Sequence, residues 1–222
     1  MNIRMIAPVI FGIAGATILV LLGNWQIDRM VWKEAIIARI DARLAAPSVP
    51  MPAAVDAERD VYLSVWAEGV MGSAEIHALD SSADIGAGYR IISPFVLADG
   101  RRIMVDRGMV PEADKDRTRP LENGVIYGNL YWMQDDYEVP EPNLERNIWF
   151  TRDENAMAEA LGTEPILFVL SQTTLAGAPL PQPVGNNLPN SHLGYAVTWY
   201  LMALAWVGMT LYLLVRIRRK TV

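Results

Sequence analysis

The chain has 222 residues, with 19 Lys and Arg against 25 Asp and Glu, and no cysteine. The acidic residues gather in the middle: 1–46 carry five basic and three acidic residues, 47–190 ten and twenty-two, and 191–222 four and none. An acidic middle repels phosphate backbones and speaks against nucleic-acid binding. Absent cysteine excludes disulfides, thiolate zinc sites, iron–sulfur ligation, covalent c-type haem attachment and the thiolate pairs of copper chaperones.

Apolar character collects at the two ends. Met5–Ile27 contains no charge, and Ile6–Leu22 is almost wholly apolar. At about 1.5 Å per residue this run crosses a hydrocarbon layer of roughly 30 Å. It is long for a signal-peptide core and no A-x-A site follows it, so an uncleaved anchor over 1–24 is expected. Trp25–Ala46 keeps helical periodicity, with Met30, Ile37, Ile40 and Leu44 on one stripe, until Pro47 and the Pro50–Pro52 stretch. The first span is therefore expected to continue as an amphipathic helix over 25–46.

From there to 190 the period turns to two. Val61–Trp66 alternates as a strand, and Ala74–Leu79 is a weaker candidate. Tyr89–Leu97 and Arg101–Arg107 flank Asp99-Gly100, which supplies the positive φ angles of a tight hairpin. Val125–Trp132 reads as another strand. Asp153 can cap a helix ending at Leu161 before Gly162. Ile166–Leu170 reads as a buried strand. Pro179, Pro181, Pro183 and Pro189 then form a stiff lead. The expectation is an antiparallel, β-rich α+β domain over 47–190 between two terminal transmembrane helices.

Tyr195–Val215 is the second apolar run, within a span expected over 191–216, and Arg216, Arg218, Arg219 and Lys220 follow it. By the positive-inside rule the basic tail, 217–222, is cytoplasmic, and Arg4 places the N-terminus on the same side. The middle domain then lies outside. With no Arg- and Ser-rich transit peptide, a bacterial inner membrane with a periplasmic domain is expected. Gly12, Gly15 and Ala16 give the first helix a small face, and Ala203, Ala205 and Gly208 the second, which would let the two approach closely.

The search for chemistry is mostly negative. There is no P-loop, G-x-G-x-x-G, G-x-S-x-G or H-E-x-x-H, so a classical enzyme is not expected. The two histidines are His77 and His192. His77 falls in a strand candidate and reads as an ordinary surface imidazole. His192 follows Asn190-Ser191, which can cap a helix, at the outer end of the second span. Tyr195, Trp199 and Trp206 follow on roughly one face. A helix N-terminus favours neutral imidazole, the metal-ligating form, and an imidazole above aromatic rings in lipid suits the iron of an apolar haem. The bland alternative is an interfacial anchor, which also accounts for Trp25 and Trp32. Arg29 and Lys33 suit propionates or lipid headgroups. Arg107 reads as an ordinary strand-end charge, or as a partner of Asp106 or of an external carboxylate.

Three motifs in order resemble one family. Gly23-x-Trp25-Gln26-x-x-Arg29-x-x-Trp32-Lys33 is similar to the post-span signature of the surfeit locus protein 1 family. Gly88-Tyr89, Ser93-Pro94-Phe95, Asp99-Gly100 and Val105-Asp106-Arg107-Gly108-Met109-Val110-Pro111 resemble its central hairpin. Asn190-Ser191-His192-Leu193-Gly194-Tyr195-Ala196-x-Thr198-Trp199-Tyr200 resembles its C-terminal signature. The family usually has Asn-Arg-Gly-Trp where this chain has Asp106-Arg107-Gly108-Met109, and often Asn where Ser191 stands.

The resemblance implies an assembly factor for haem-copper (aa3-type) cytochrome c oxidase. Such a protein would bind haem a as cargo and assist its insertion into subunit I, with haem a synthase as a second partner. It places His192 as the axial ligand of the haem iron. Tyr195, Trp199, Trp25 and Arg29 become the candidate surround. The alternative is a membrane scaffold that stabilises an oxidase assembly intermediate without holding haem.

Overall fold

The computed structural model describes residues 3–132, 140–150, 153–185 and 188–219. Lys220 of the basic tail lies outside them. The chain divides into two compact units, Met1–Arg39 with Asn187–Val222, and Ile40–Asn186.

The first unit holds the two long helices. Helix α1 runs Ile3–Leu44 and α4 runs His192–Arg219. Both are long and apolar enough to cross a membrane, consistent with a two-pass membrane protein. Pro8 sits in the second turn of α1, where it removes one backbone hydrogen bond close to the start of the helix. No break separates the apolar stretch from the periodic one: α1 continues through Trp25 to Leu44, and Met30, Ile37, Ile40 and Leu44 are among its half-buried positions there, with Lys33 and Arg43 also half-buried. The last turn of α4 carries Arg216, Arg218 and Arg219, favourable against the carbonyl end of the helix.

The second unit is built on seven strands: β1 Val49–Pro50, β2 Ser64–Met71, β3 Ile76–Ser82, β4 Gly86–Leu97, β5 Arg102–Pro111, β6 Asn123–Tyr131 and β7 Leu167–Leu170. Their order is β1-β2-β6-β7-β5-β4-β3, and β2 also pairs with β4 through Gly69↔Leu97 to Met71↔Phe95. That pairing closes β2, β6, β7, β5 and β4 into a small five-stranded barrel, which removes the open edges of those strands. The expectation of antiparallel pairing holds for most ladders, but β1–β2 and β5–β7 are parallel. A closed ring of five strands cannot alternate direction throughout, and its one parallel contact is β5–β7; between β6 and β7 the chain passes through α3 (Glu154–Leu161), whereas α2 (Ala57–Asp60) lies earlier, before β2.

The barrel is filled by Val65, Phe95, Ile103, Leu130, Phe168 and their neighbours, all nearly inaccessible. A second cluster covers the outer face of β5 and β7, where Met157, Ala158 and Leu161 of α3 pack with Met104, Leu167 and Trp149. Because both faces are covered, β5 reads as a continuous buried run rather than an alternating one. Helix α3 is capped as its sequence indicates: Asp153 accepts from the backbone N–H of Asn155 and Ala156, and Gly162 closes the helix at φ +63°. Such a cap contributes about 1 kcal/mol. The β4–β5 hairpin turns at Asp99-Gly100, with Gly100 at φ +89°.

Two local expectations are corrected. The strand expected at Val61–Trp66 begins only at Ser64 and runs to Met71. Asp56 caps α2, and Tyr62 at φ +66° turns the chain into β2, so the alternation of Val61–Leu63 belongs to a turn. His77 is not a surface imidazole: it is 6% exposed on β3, and its Nε2 donates to Glu75 Oε2 across 3.2 Å.

Arg107 is likewise no strand-end charge. The ladder of β4 and β5 slips between Arg90 and Ile92, placing an extra residue on β5 at Arg107-Gly108, with Gly108 at φ +111°. The bulge carries the Arg107 guanidinium to complete burial. There it donates to Glu122 (2.8 Å), Glu75 (3.0 Å) and the Pro120 carbonyl, while Asp106 pairs with Arg90 (2.8 Å) instead. Arg119 also donates to Glu75. Burial alone would push the Glu75 carboxyl up, but the His77 hydrogen bond and the Arg119 and Arg107 charges outweigh it and hold it below the ordinary carboxylate value.

Candidate functional site

The site follows from how α1 and α4 meet within their own unit. They run antiparallel, since contacts pair Gly12 with Thr210, Gly15 with Trp206, and Gly23 with Tyr200. Each glycine is required by the close approach. A Cβ on Gly12 would lie 2.3 Å from Thr210, on Gly15 2.4 Å from the Trp206 ring, and on Gly23 2.5 Å from the Tyr200 ring. Gly12 and Gly15 therefore do face α4, as their spacing suggests. On α4 the seam is different from the expected one: Ala196 and Ala203 are buried, whereas Ala205 is exposed and a side chain on Gly208 would meet open space. The reason is the heptad-like spacing of Ala196 and Ala203, which Ala205 and Gly208 do not share.

Polar groups on this seam are matched across it. Trp206 Nε1 donates to the Gly12 carbonyl (3.1 Å), and the Tyr200 hydroxyl donates to Asn24 Oδ1 (2.8 Å). In an apolar surround, such pairings satisfy groups that water cannot reach. At the far end Lys33 donates to the Pro189 carbonyl.

His192 is the first residue of α4 and is half-buried, one turn before the fully buried Ala196. Its Nδ1 lies 2.8 Å from Oε1 of Gln26 on α1. A carbonyl oxygen can only accept, so Nδ1 donates, and in the neutral ring the lone pair is then on Nε2. Among the described residues no hydrogen bond engages Nε2. The expected side-chain cap does not form as read: Gly194 N–H reaches the Ser191 backbone carbonyl, and Asn190 Oδ1 is buried without a partner among the described residues.

The other candidates are placed as follows. Trp199 is half-buried, one helical turn past Tyr195, which is 58% exposed. Trp25 precedes Gln26 on α1 and is 56% exposed. The Arg29 guanidinium stacks 4.0 Å above the Trp32 ring, a cation–π contact that holds the charge at an exposed position. Trp206, fourteen residues beyond His192, is about 21 Å away along the helix axis and belongs to the packing seam. The structure thus joins His192 to Gln26, a residue to which the residue pattern assigned no role. The signal was its polarity at a seam position between Gly23 and Met30.

His192 and Gln26 thus meet where α4 begins, at one end of an apolar helix pair. A neutral imidazole with one nitrogen tied and the other open is a nitrogen donor for a transition metal. Among the described residues no group of three His, Asp or Glu is placed to hold a metal ion by itself.

The model of the SURF1 family matches residues 13–204 of this chain. The human protein named Surfeit locus protein 1 is 34% identical over 212 residues, covering 83% of this chain and 70% of that protein. The rat protein of the same name is 30% identical over 204 residues, covering 81% and 66%. A SURF1-like protein of Monosiga brevicollis is 31% identical over 224 residues, covering 90% and 83%. The chain spans about two thirds of the length of the two mammalian proteins. With the family model running from within the first helix through the barrel and into the second helix, the chain belongs to the SURF1 family.

Proposed function

We propose that this protein is an assembly factor for haem-copper cytochrome c oxidase that binds haem a as cargo and assists its insertion into subunit I. Family membership supports the assembly role, in line with the resemblance of its three motifs. The observation that carries the haem reading is the His192–Gln26 pair at the end of an apolar helix pair where α4 begins.

Haem a is an iron porphyrin with two carboxylates and a long isoprenoid tail, so its two ends need different surroundings. The chain's residues fit that division. His192 offers one nitrogen donor, Tyr195, Trp199 and Trp25 offer aromatic surface, and Arg29 offers a cation for a carboxylate. The apolar faces of α1 and α4 suit the tail. The protein acts as carrier rather than enzyme, handing the cofactor between membrane partners, with haem a synthase as donor and subunit I as acceptor. It resides in a bacterial inner membrane as a two-pass protein, both termini cytoplasmic and the barrel periplasmic, supported by Arg216, Arg218 and Arg219 at the end of α4.

The test is an optical spectrum of the protein purified in mild detergent from cells that make haem a, beside His192→Ala. The expected result is haem a absorbance in the wild type that is lost or shifted in the variant. Colourless protein from cells shown to contain haem a would overturn the carrier reading. It would leave the scaffold that binds assembly intermediates through its acidic domain.

A further inference from the structure

Gln26 lies in a helix whose preceding turns are apolar, on the face turned to α4. Its side-chain oxygen accepts from His192 Nδ1 at 2.8 Å, within the range of a normal hydrogen bond. A neutral imidazole has two tautomers and a ring free to rotate about its χ angles. A single acceptor on one nitrogen removes both freedoms.

We propose that Gln26 is a positioning residue that holds His192 as its Nδ1–H tautomer and thereby makes Nε2 the nitrogen that binds iron. This rests on the haem reading and goes beyond it, by naming the ligating atom and the residue that selects it. Three observations carry it. The bond joins two different helices, so it fixes the ring to a second element rather than to its own backbone. The backbones on which the two residues stand are held close by Gly23 against Tyr200 and by the Tyr200–Asn24 bond. Among the described residues nothing hydrogen-bonds Nε2, which leaves that nitrogen open. Partners on the far nitrogen of metal-binding histidines commonly affect metal affinity about 10–100-fold when removed.

The experiment uses the full chain in detergent, labelled with nitrogen-15 at histidine, without haem. Only two histidines exist, so His192→Ala assigns the signals. Two-bond proton–nitrogen spectra at neutral pH report the tautomer directly. The wild type is expected to show His192 as one Nδ1–H form, Gln26→Leu to show averaged nitrogens, and Gln26→Glu, which keeps the acceptor, to restore the single form.

Titration with haem a then follows in the same samples. Gln26→Leu is expected to bind about 10–100-fold more weakly. Gln26→Glu is expected to bind at least as tightly, with a lower iron reduction potential, because a carboxylate makes the imidazole a stronger donor. A potential shift of that sign is not produced by a merely structural change. An Nε2–H tautomer in the wild type, or equal haem affinity in wild type and Gln26→Leu, overturns the role of Gln26 while leaving the carrier intact. A wild type that binds no haem a overturns the carrier reading and the ligating role of Nε2 together, whatever tautomer is seen.

Discussion

Replacing Arg107 by Met tests whether the buried ion cluster holds the barrel's loops. The Arg107 side chain is fully buried and serves two carboxylates and one carbonyl. The two carboxylates are not equally dependent on it. Glu75 keeps Arg119 and His77, whereas Glu122, with a side chain 7% exposed, keeps among the described residues only a long contact from the Thr173 hydroxyl (3.4 Å). Removing one member of a buried pair costs about 3–5 kcal/mol, because the other charge is left without compensation. In a domain of about 150 residues that lowers the melting temperature by roughly 6–20 °C. Thermal unfolding of the full chain in detergent, followed by circular dichroism, measures it. Adding Glu122→Leu to Arg107→Met should recover at least half of the loss, since a buried pair replaced by apolar residues is close to neutral. Adding Glu75→Gln should recover less, because Glu75 was never stranded. A loss under about 1 kcal/mol in the single variant would refute the reasoning. So would equal recovery by the two second substitutions.

Two further outcomes are expected. The Glu75 carboxyl is held below its ordinary value of 4.5, so the stability it contributes is present above that pH and lost as pH falls through the folded-state value. Melting temperature should therefore drop on acidification below about pH 4.5, and drop less steeply in Glu75→Gln; parallel curves would contradict the assignment. Gly108→Ala places a Cβ 2.1 Å from the Leu180 carbonyl at φ +111°, whereas Gly100→Ala at φ +89° meets open space. Both carry backbone strain of about 1 kcal/mol, but Gly108→Ala should lose roughly 1–3 kcal/mol more in the same unfolding assay.

Much of this architecture is legible along the chain because local chemistry decides it. Two uncharged apolar runs specify helices, Asp99-Gly100 specifies a hairpin, and Asp153 with Gly162 brackets α3. What periodicity does not reveal is long-range pairing. Closure depends on Gly69, where a side chain would strike the Val96 carbonyl, and on Gly128, where it would strike that of Val169. Neither is marked in sequence as a crossing point. Arg107 misreads for a related reason. A β-bulge shifts facing by one residue, so an arginine at the end of an apolar run becomes its largest fully buried side chain. At the helix pair, the glycines of α1 were legible and the α4 seam was not, because Tyr200, Trp206 and Thr210 pack into glycine notches that small-residue counting overlooks.

The partner behind His192 bears on the difference between a carrier and a resident haem site. A carboxylate behind a ligating histidine makes the ring electron-rich and strengthens its bond to ferric iron. A neutral amide orients the same ring while lending it less electron density. On the carrier reading, Gln26 therefore separates two properties that a carboxylate would couple: the tautomer is selected, yet the iron bond stays weak enough to break during transfer. The surroundings agree with that division. Tyr195, three residues past the half-buried ring on α4, and Trp25, next to Gln26 on α1, are exposed, and the cation of Arg29 is stacked on Trp32 at an exposed position. On the carrier reading, such surface elements would let a second protein reach the cargo. A Gln26→Glu variant that holds haem a more tightly but matures less oxidase would separate capture from release, which loss of His192 alone cannot do.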